Sequence, residues 1–453
     1  MKPSKRIRLS TSQFILLGFL LVILAGSLLL WLPISSANGQ SVAYEDALFT
    51  ATTATCVTGL VTLPTVSAWS TFGHIVILLL IQIGGLGVIT VMSGLMMLMH
   101  RKLGIADHLL IQDAFNLNTL SGLVSFIKKV IIGTLTVEGI GALLYMTVFV
   151  PQFGAKGIWM AIFNAVSAFC NAGIDILAQD SLSQYISSPL VNAVTCALIV
   201  LGGLGYIVWW DLLRVLRLTR HGKKGLWRSL TLHSKIAVSM TLALILGGGL
   251  CFFLFEYNNP ATIGGLSLFD KIQAALFQSV TTRTAGFFTV PQKQLTAGST
   301  VVSLVLMFVG GSPVGTAGGI KTVTLAVLAC TAVSVVKNRN DVCLFGRRLS
   351  ELAIRKATAV ATVSLVIVFL STVLLAAVTD ASLTDLLYES VSATATVGLT
   401  RDLTPLLNTW GKLIITATMY FGRVGPISLA FALRGKNQNQ NIIKNPNEEI
   451  SVG

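Results

Sequence analysis

Runs of apolar residues alternate with short polar stretches along the whole chain. The longest occupy residues 14–32, 75–99, 130–150, 190–210, 236–255, 300–309, 357–378 and 413–421. Several are long enough to cross a hydrocarbon core of about 30 Å as helices, which takes roughly 20 residues. Between the runs lie four shorter segments rich in Thr, Ser, Ala and Asn: ALFTATTATCVTGL ending near Gly59, AIFNAVSAFCNAGI near Gly173, ALFQSVTTRTAGFF near Gly286, and LLYESVSATATVGL near Gly398. Their glycines are 114, 113 and 112 residues apart. Ten residues before each glycine stands a bulky apolar residue: Phe49, Phe163, Leu276 and Tyr388. A near-constant period across most of a chain marks a repeated structural unit.

Each short segment follows one apolar run and precedes another, and the second runs also match. Gly84, Gly202, Gly310 and Gly422 lie 25, 29, 24 and 24 residues after the four landmark glycines. The unit reads as span, re-entrant half-helix, span. The expected fold is therefore an all-α polytopic membrane protein of four pseudo-symmetric helix, pore-helix, helix repeats, with eight transmembrane spans and four re-entrant pore helices around a central pore. The repeats divide the chain at 1–115, 116–228, 229–345 and 346–453, the third holding an interrupted second span and the first and last carrying the terminal tails.

Composition agrees. Residues of the AVILMFWYC set make up 53% of the 453 residues and charged residues 11%, against about 25% charged in ordinary soluble domains; mean hydropathy is +0.79. The formal net charge of +14 could suggest nucleic acid. However, 24 of the 32 Lys and Arg cluster in residues 1–10, 100–129, 214–235, 337–356 and 434–453, with a minority of the acids. These basic stretches alternate with poorly basic ones, the pattern of cytoplasmic and outer loops, so both termini are expected in the cytoplasm and no nucleic-acid partner is expected. The first apolar run is longer than a cleavable signal core. The six cysteines form no CxxC pair and are expected as free thiols.

A dehydrated cation in hydrocarbon pays tens of kcal/mol on a Born estimate, so a conduction path must replace its water with oxygen dipoles. Backbone carbonyls serve if successive residues turn them to one side, and glycine permits such a backbone. Four strands with glycine at one level make a carbonyl ring, as in potassium filters, and Thr396-Val397-Gly398 matches the opening of that filter signature. The preceding half-helices would aim their negative C-terminal ends at the axis. Glu45, Asp46 and Asp385 stand near the opposite, positive ends, and Asp175, Asp180, Asp380 and Asp402 could gather cations at the outer mouth. Taken singly, each glycine reads better as a close helix-packing contact; the fourfold recurrence reverses this in favour of the pore.

In the third unit the second span is broken by GGSPVGTAGGIKT, Gly310 to Thr322, which cannot continue as a helix. A loop there would sit across the path just inside the filter and reads as a gate, with a passive kink as the alternative. It is not a Walker loop, because Ile320 separates Gly319 from Lys321. Arg423 lies within an apolar span and should face the pore or a polar partner, as an electrostatic barrier or as half of an ion pair. Arg283, three residues before Gly286, could brace the filter from behind; Glu138 is an open candidate for its partner.

The four filter-like segments, the broken third-unit span and Arg423 together resemble the Trk/Ktr/HKT superfamily of potassium transporters, the Ktr-type membrane (pore) subunit in particular, over roughly residues 11–434. Carried over by position, the resemblance implies a selectivity filter of Val57, Thr58, Gly59; Asn171, Ala172, Gly173; Thr284, Ala285, Gly286; and Thr396, Val397, Gly398, with K+ held at these residues. Gly59, where sodium-selective relatives have serine, favours potassium. The intramembrane gate would span Gly310, Gly311, Gly315, Gly318 and Gly319, with Lys321 beside it and Arg423 facing it. The resemblance further implies potassium uptake at the plasma membrane, a homodimer of pores, and a cytoplasmic RCK-type nucleotide-binding regulatory ring. Sodium activation, common in Ktr-type systems, has no evident residue set here, and no cofactor is expected in the chain itself.

Two other classes compete. An ion-coupled secondary symporter also uses broken helices at the midplane, but typically with two inverted repeats. A membrane-embedded enzyme is disfavoured: the five histidines form no HExxH, and no GxSxG elbow is present.

Overall fold

The computed structural model describes residues 11–98, 123–220, 225–339 and 341–425. The basic stretches at 1–10, 100–122 and 221–224 and the tail from 426, on which the charge-based topology partly rests, lie outside the described residues.

Four long apolar helices recur at matching places: α1 (Thr11–Trp31), then α5 (Leu123–Phe153), α9 (Leu232–Glu256) and α13 (Glu351–Val378). Each contains a stretch long and apolar enough to cross a bilayer. Much of their surface is left uncovered by protein, Leu21, Leu143, Leu254 and Phe369 being at least 63% exposed. In water such a surface would be costly; against lipid tails it is not.

Each long helix packs along the short helix that follows it in sequence: α2 (Tyr44–Cys56), α6 (Lys156–Cys170), α10 (Leu268–Thr281) and α14 (Leu383–Ala395). At 13 to 15 residues these reach only about 20 Å, short of a hydrocarbon core. Ser267 and Ser382 start α10 and α14 by accepting from the Asp270 and Asp385 amides. The aromatic positions Phe49, Phe163, Phe277 and Tyr388 are fully buried. In the third unit the buried position is thus Phe277, whereas the sequence spacing singled out Leu276. The reason is that α10 ends earlier, at Thr281, so its turn reaches Gly286 with one residue fewer between aromatic and glycine.

The second helices are α3 (Thr71–Leu86), α7 (Pro189–Leu204), α11 (Ala297–Phe308) and α15 (Thr409–Val424). Three of them end at a glycine with positive φ, Gly87 at 85°, Gly205 at 90° and Gly425 at 88°, each three residues beyond a matched glycine. The chain continues from the first two as α4 (Val88–Leu98) and α8 (Tyr206–Arg220), and α8 is bent 98° from α7. The equivalent place in the third unit is Pro313, whose ring fixes φ near −65° and forbids that turn; there the chain loops until α12 (Thr322–Val336). Breaks of this kind shorten the second helices. Among the described residues, length and apolarity mark four helices as able to cross by themselves, or five crossings with the bent α7–α8 pair, while α3, α11 and α12 are shorter. A two-stranded hairpin, β1 (Cys343–Leu344) with β2 (Arg347–Arg348), joins α12 to α13.

The matched glycines explain why the second helices sit so close. A Cβ on Gly84, Gly202 or Gly422 would collide with the carbonyl oxygen of Thr55, Phe169 or Thr394 respectively, each four residues before a landmark glycine. On Gly310 it would collide with the Gly318 carbonyl of the loop instead. We expect Gly202→Val to force α7 off α6 and to destabilise the fold by about 1–3 kcal/mol or more, as overpacking does. The thermal midpoint of purified protein, followed by tryptophan fluorescence, should fall by several degrees; an unchanged midpoint contradicts this packing.

Candidate functional site

Helices α2, α6 and α14 end in the same turn. The residue after each helix, Val57, Asn171 or Thr396, takes the left-handed conformation with φ 55°, 60° and 52°. Its amide bonds three residues back, at 3.2 Å in all three, and the next amide bonds five residues back, at 2.8 Å in all three. This is a Schellman turn without the usual glycine. Two of the three residues are β-branched, for which positive φ is strained, and such strain gathers at functional sites. The third unit reaches the same conformation by a longer turn, with Thr284 at φ 68°.

Two residues on, Gly59, Gly173, Gly286 and Gly398 are again at positive φ, between 63° and 101°, while Thr58, Ala172, Ala285 and Val397 between them are not. Alternating handedness turns successive carbonyls toward one side of the strand. The four strands meet in cyclic order. A Cβ on Gly59 would lie 2.6 Å from the Ala172 carbonyl oxygen, on Gly173 2.5 Å from that of Ala285, on Gly286 2.6 Å from that of Val397, and on Gly398 against that of Thr58. The structure thus brings all twelve expected filter residues together at one place. Except for the glycines, they are buried to 1% exposure or less.

A hydroxyl that sequence reasoning overlooked braces each strand. Thr53, Ser167, Thr281 and Ser392 each lie four residues after the buried aromatic. Thr53 Oγ1 accepts from the Gly59 amide at 2.9 Å and Ser392 Oγ from that of Gly398 at 3.1 Å. Ser167 Oγ donates to the Ile174 carbonyl at 2.5 Å, and Thr281 Oγ1 to that of Phe287 at 2.5 Å. Aligned on the glycines, the third segment has Val280 at this place; the recurring Ser/Thr emerges only when the segments are aligned on the buried aromatics. Glu389 was also overlooked, although it is the one carboxylate past the first turn of a re-entrant segment; buried in α14, it accepts from the hydroxyls of Thr400, at 2.8 Å, and Thr404. The hydroxyls of Thr55, Thr58, Thr394 and Thr396 are buried with no protein hydrogen-bond partner, leaving oxygens for water or an ion.

At the N-terminal ends of two re-entrant helices, Asp46 pairs with Lys412 at 2.5 Å and Asp385 with Arg401 at 2.7 Å. Burial pulls the Asp385 carboxyl upward, but the Ser382 and Arg401 hydrogen bonds outweigh it and hold the group below its ordinary value. Asp180, Asp380 and Asp402 are exposed, whereas Asp175 is only partly so and accepts from the Leu177 amide at 3.3 Å.

The third-unit loop touches the second and fourth units as well as its own filter strand, and is linked to the first through Arg423. The Gly310 amide donates to Ile320 at 3.0 Å and that of Ile320 to Phe308 at 3.1 Å, closing its neck. The Ser312 and Thr316 amides donate to the carbonyls of Gly203 and Gly202, at 2.8 and 3.1 Å, and the Tyr206 amide to that of Val314 at 3.1 Å. Gly318 donates to Thr284 Oγ1 at 3.2 Å, and a Cβ there would strike the Thr396 hydroxyl. A Cβ on Gly311 would meet Ala317 and the Gly203 carbonyl, and one on Gly315 the Gly202 carbonyl. Lys321 Nζ bonds back to the Ala317 carbonyl at 2.6 Å. Arg423 reaches the loop directly, donating to the Thr316 carbonyl at 2.6 Å and to Gly84 of the first unit at 2.5 Å. Among the described residues its hydrogen-bond acceptors are these two carbonyls, a carbonyl clamp where an ion pair was one of the expectations. Glu138 accepts from Gln82 at 3.2 Å; Arg283 reaches Thr241 at 3.4 Å and borders a small void with Val280, Gly203 and Gly311. Those two charges have different partners.

Residues 7–443 match the family described as "TrkH: Cation transport protein". The chain is 37% identical to the potassium/sodium uptake protein NtpJ of Enterococcus hirae and 37% identical to the Ktr system potassium uptake protein B of Bacillus subtilis, in each case over 100% of this chain and 99% of the relative. The crystal structure of the potassium transporter TrkH from Vibrio parahaemolyticus has the same fold, with a TM-score of 0.73 at 16% identity, covering 96% of this chain and 87% of that one.

Removing the clamp should free the loop. In Arg423→Gln we expect amides of residues 310–319 to exchange hydrogen about 10- to 100-fold faster, the equivalent of about 1.5–3 kcal/mol for charged hydrogen bonds. Exchange equal to wild type contradicts the clamp.

Proposed function

The chain belongs to the TrkH family of cation transport proteins, and from that premise we propose that it takes potassium up across the plasma membrane through a carbonyl-lined pore. The observation that carries the reading is the cyclic meeting of four strands, each with positive φ at two alternate residues and each glycine Cα pressed against the next unit's carbonyl. Val57 to Gly59, Asn171 to Gly173, Thr284 to Gly286 and Thr396 to Gly398 form the selectivity filter, and four helix C-termini behind it lower the potential for a cation. The four repeats supply eight crossings in all, the shorter second helices included, with both termini in the cytoplasm.

Inside the filter the loop Gly310–Gly319 acts as the gate, closed where Gly318 abuts the third and fourth turns and held by Arg423. Its many backbone hydrogen bonds are exchangeable partners, which suits an element with two arrangements. The relatives named as Ktr system proteins belong to a multi-part system by name. That wording supports a separate regulatory subunit; a homodimer of pores, an RCK-type ring as that partner and sodium activation are proposed from the family resemblance alone. An enzyme reading is set aside by membership of a cation transport family.

A potassium-uptake-deficient bacterium at limiting potassium should grow when given the wild-type chain. Gly59→Ser should weaken preference for potassium over sodium, and deletion of Gly310 to Gly319 should give leak; no rescue by well-expressed wild type contradicts the proposal. In proteoliposomes the potassium current should be voltage-driven and independent of a second solute. Strict dependence on an organic co-solute favours the symporter instead.

A further inference from the structure

With α7 as the crossing that the proposed pore requires, the 98° turn at Gly205 lays α8 across its end, close to the membrane plane. Its buried stripe, Val208, Asp211 and Val215, faces the protein. At about 100° per residue, Leu213 and Arg217 lie opposite that stripe, and exposed Leu216, Arg214 and Leu218 lie on its flanks. Leucines and arginines interleaved around the uncovered side of one helix are at odds with both plain water and hydrocarbon, but they suit the interface, where apolar side chains dip among acyl chains and guanidinium groups meet phosphates. A second helix adds to the patch: Lys129 of α5 is exposed and its Nζ lies 5.9 Å over the Trp210 ring, and indoles favour headgroup depth.

Helix α8 is also held at two points. The Tyr206 amide bonds the Val314 carbonyl of the loop at 3.1 Å, where Val314 is itself at φ 63°. One turn on, Asp211 accepts from the Thr231 amide at 2.9 Å and hydroxyl at 2.8 Å, at the start of α9. A shift of α8 therefore reaches the loop through one hydrogen bond and a strained residue.

We propose that α8, with Lys129, is a binding surface for anionic phospholipid headgroups, and that their engagement biases the loop toward conduction. Binding rests on α8 and Lys129 lying at the interface as the proposed crossings place them; the consequence for conduction rests on the gate assigned above. The occupant is the lipid because the cations sit beside exposed leucines on a helix lying along the membrane, and anionic lipid gives such a patch both partners.

The test uses the full chain in liposomes of phosphatidylcholine alone or with one quarter phosphatidylglycerol, and native mass spectrometry of lipids retained from the mixed bilayer. The variants are Lys129→Gln with Arg217→Gln, and the charge-keeping Lys129→Arg with Arg217→Lys; Arg214 is left intact because it pairs with Asp211 at 2.5 Å. Wild type and the charge-keeping variant should retain phosphatidylglycerol and conduct potassium about threefold faster or more in the mixed bilayer. The glutamine variant should lose the retention and conduct equally in both bilayers, at the wild-type rate in phosphatidylcholine. Equal retention by wild type and the glutamine variant overturns the binding surface, as does full restoration of flux in phosphatidylcholine by inorganic phosphate. Retention without any lipid dependence of wild-type flux overturns the coupling. Retention that depends on Lys129 and Arg217 in a protein that conducts nothing supports the lipid surface and locates the failure in the proposed pore.

Discussion

A strand can present consecutive carbonyls to one side only if its backbone changes handedness from residue to residue, and much of this molecule is organised around that requirement. Left-handed φ at Val57, Thr284 and Thr396 is unfavourable for β-branched side chains, so the surroundings must impose it. The Schellman bonds, the hydroxyls of Thr53, Ser167, Thr281 and Ser392, and the closely packed second helices supply that constraint. Glycine at Gly59, Gly173, Gly286 and Gly398 is required twice over: for its φ, and because a Cβ would occupy the space of the neighbouring unit's carbonyl.

The same economy explains how one unit differs from three. Gly87, Gly205 and Gly425 let the second helices bend where Pro313 cannot follow, so the third unit loops instead and takes hydrogen bonds from its neighbours as well as from its own strand. Arg423 then joins that loop to the first unit. A change at the loop accordingly meets contacts on the second, third and fourth units, including α8 on the second, and reaches the first through Arg423.

Much of this was legible in the sequence. The four-glycine period located every strand, the matched Gly84, Gly202 and Gly422 proved to be the sites of closest helix approach, and the broken third span was evident from Gly and Pro alone. What escaped notice depended on distance in space. The hydroxyl braces required aligning the segments on Phe277 and not Leu276, which only the earlier end of α10 reveals. The carbonyl clamp by Arg423 escaped because a buried arginine suggests a carboxylate, whereas unpaired carbonyls at helix ends serve as well. The number of crossings was less legible, since glycine breaks divide second helices that read as continuous apolar runs.

Rubidium substitutes for potassium and scatters anomalously, so crystals of the protein grown in rubidium salts test the carbonyl ring most directly. A pore of the kind proposed predicts anomalous peaks on the axis enclosed by Gly59, Gly173, Gly286 and Gly398, within coordination distance of the carbonyls of those strands. Rubidium bound elsewhere in the protein, with that axis empty, would contradict it.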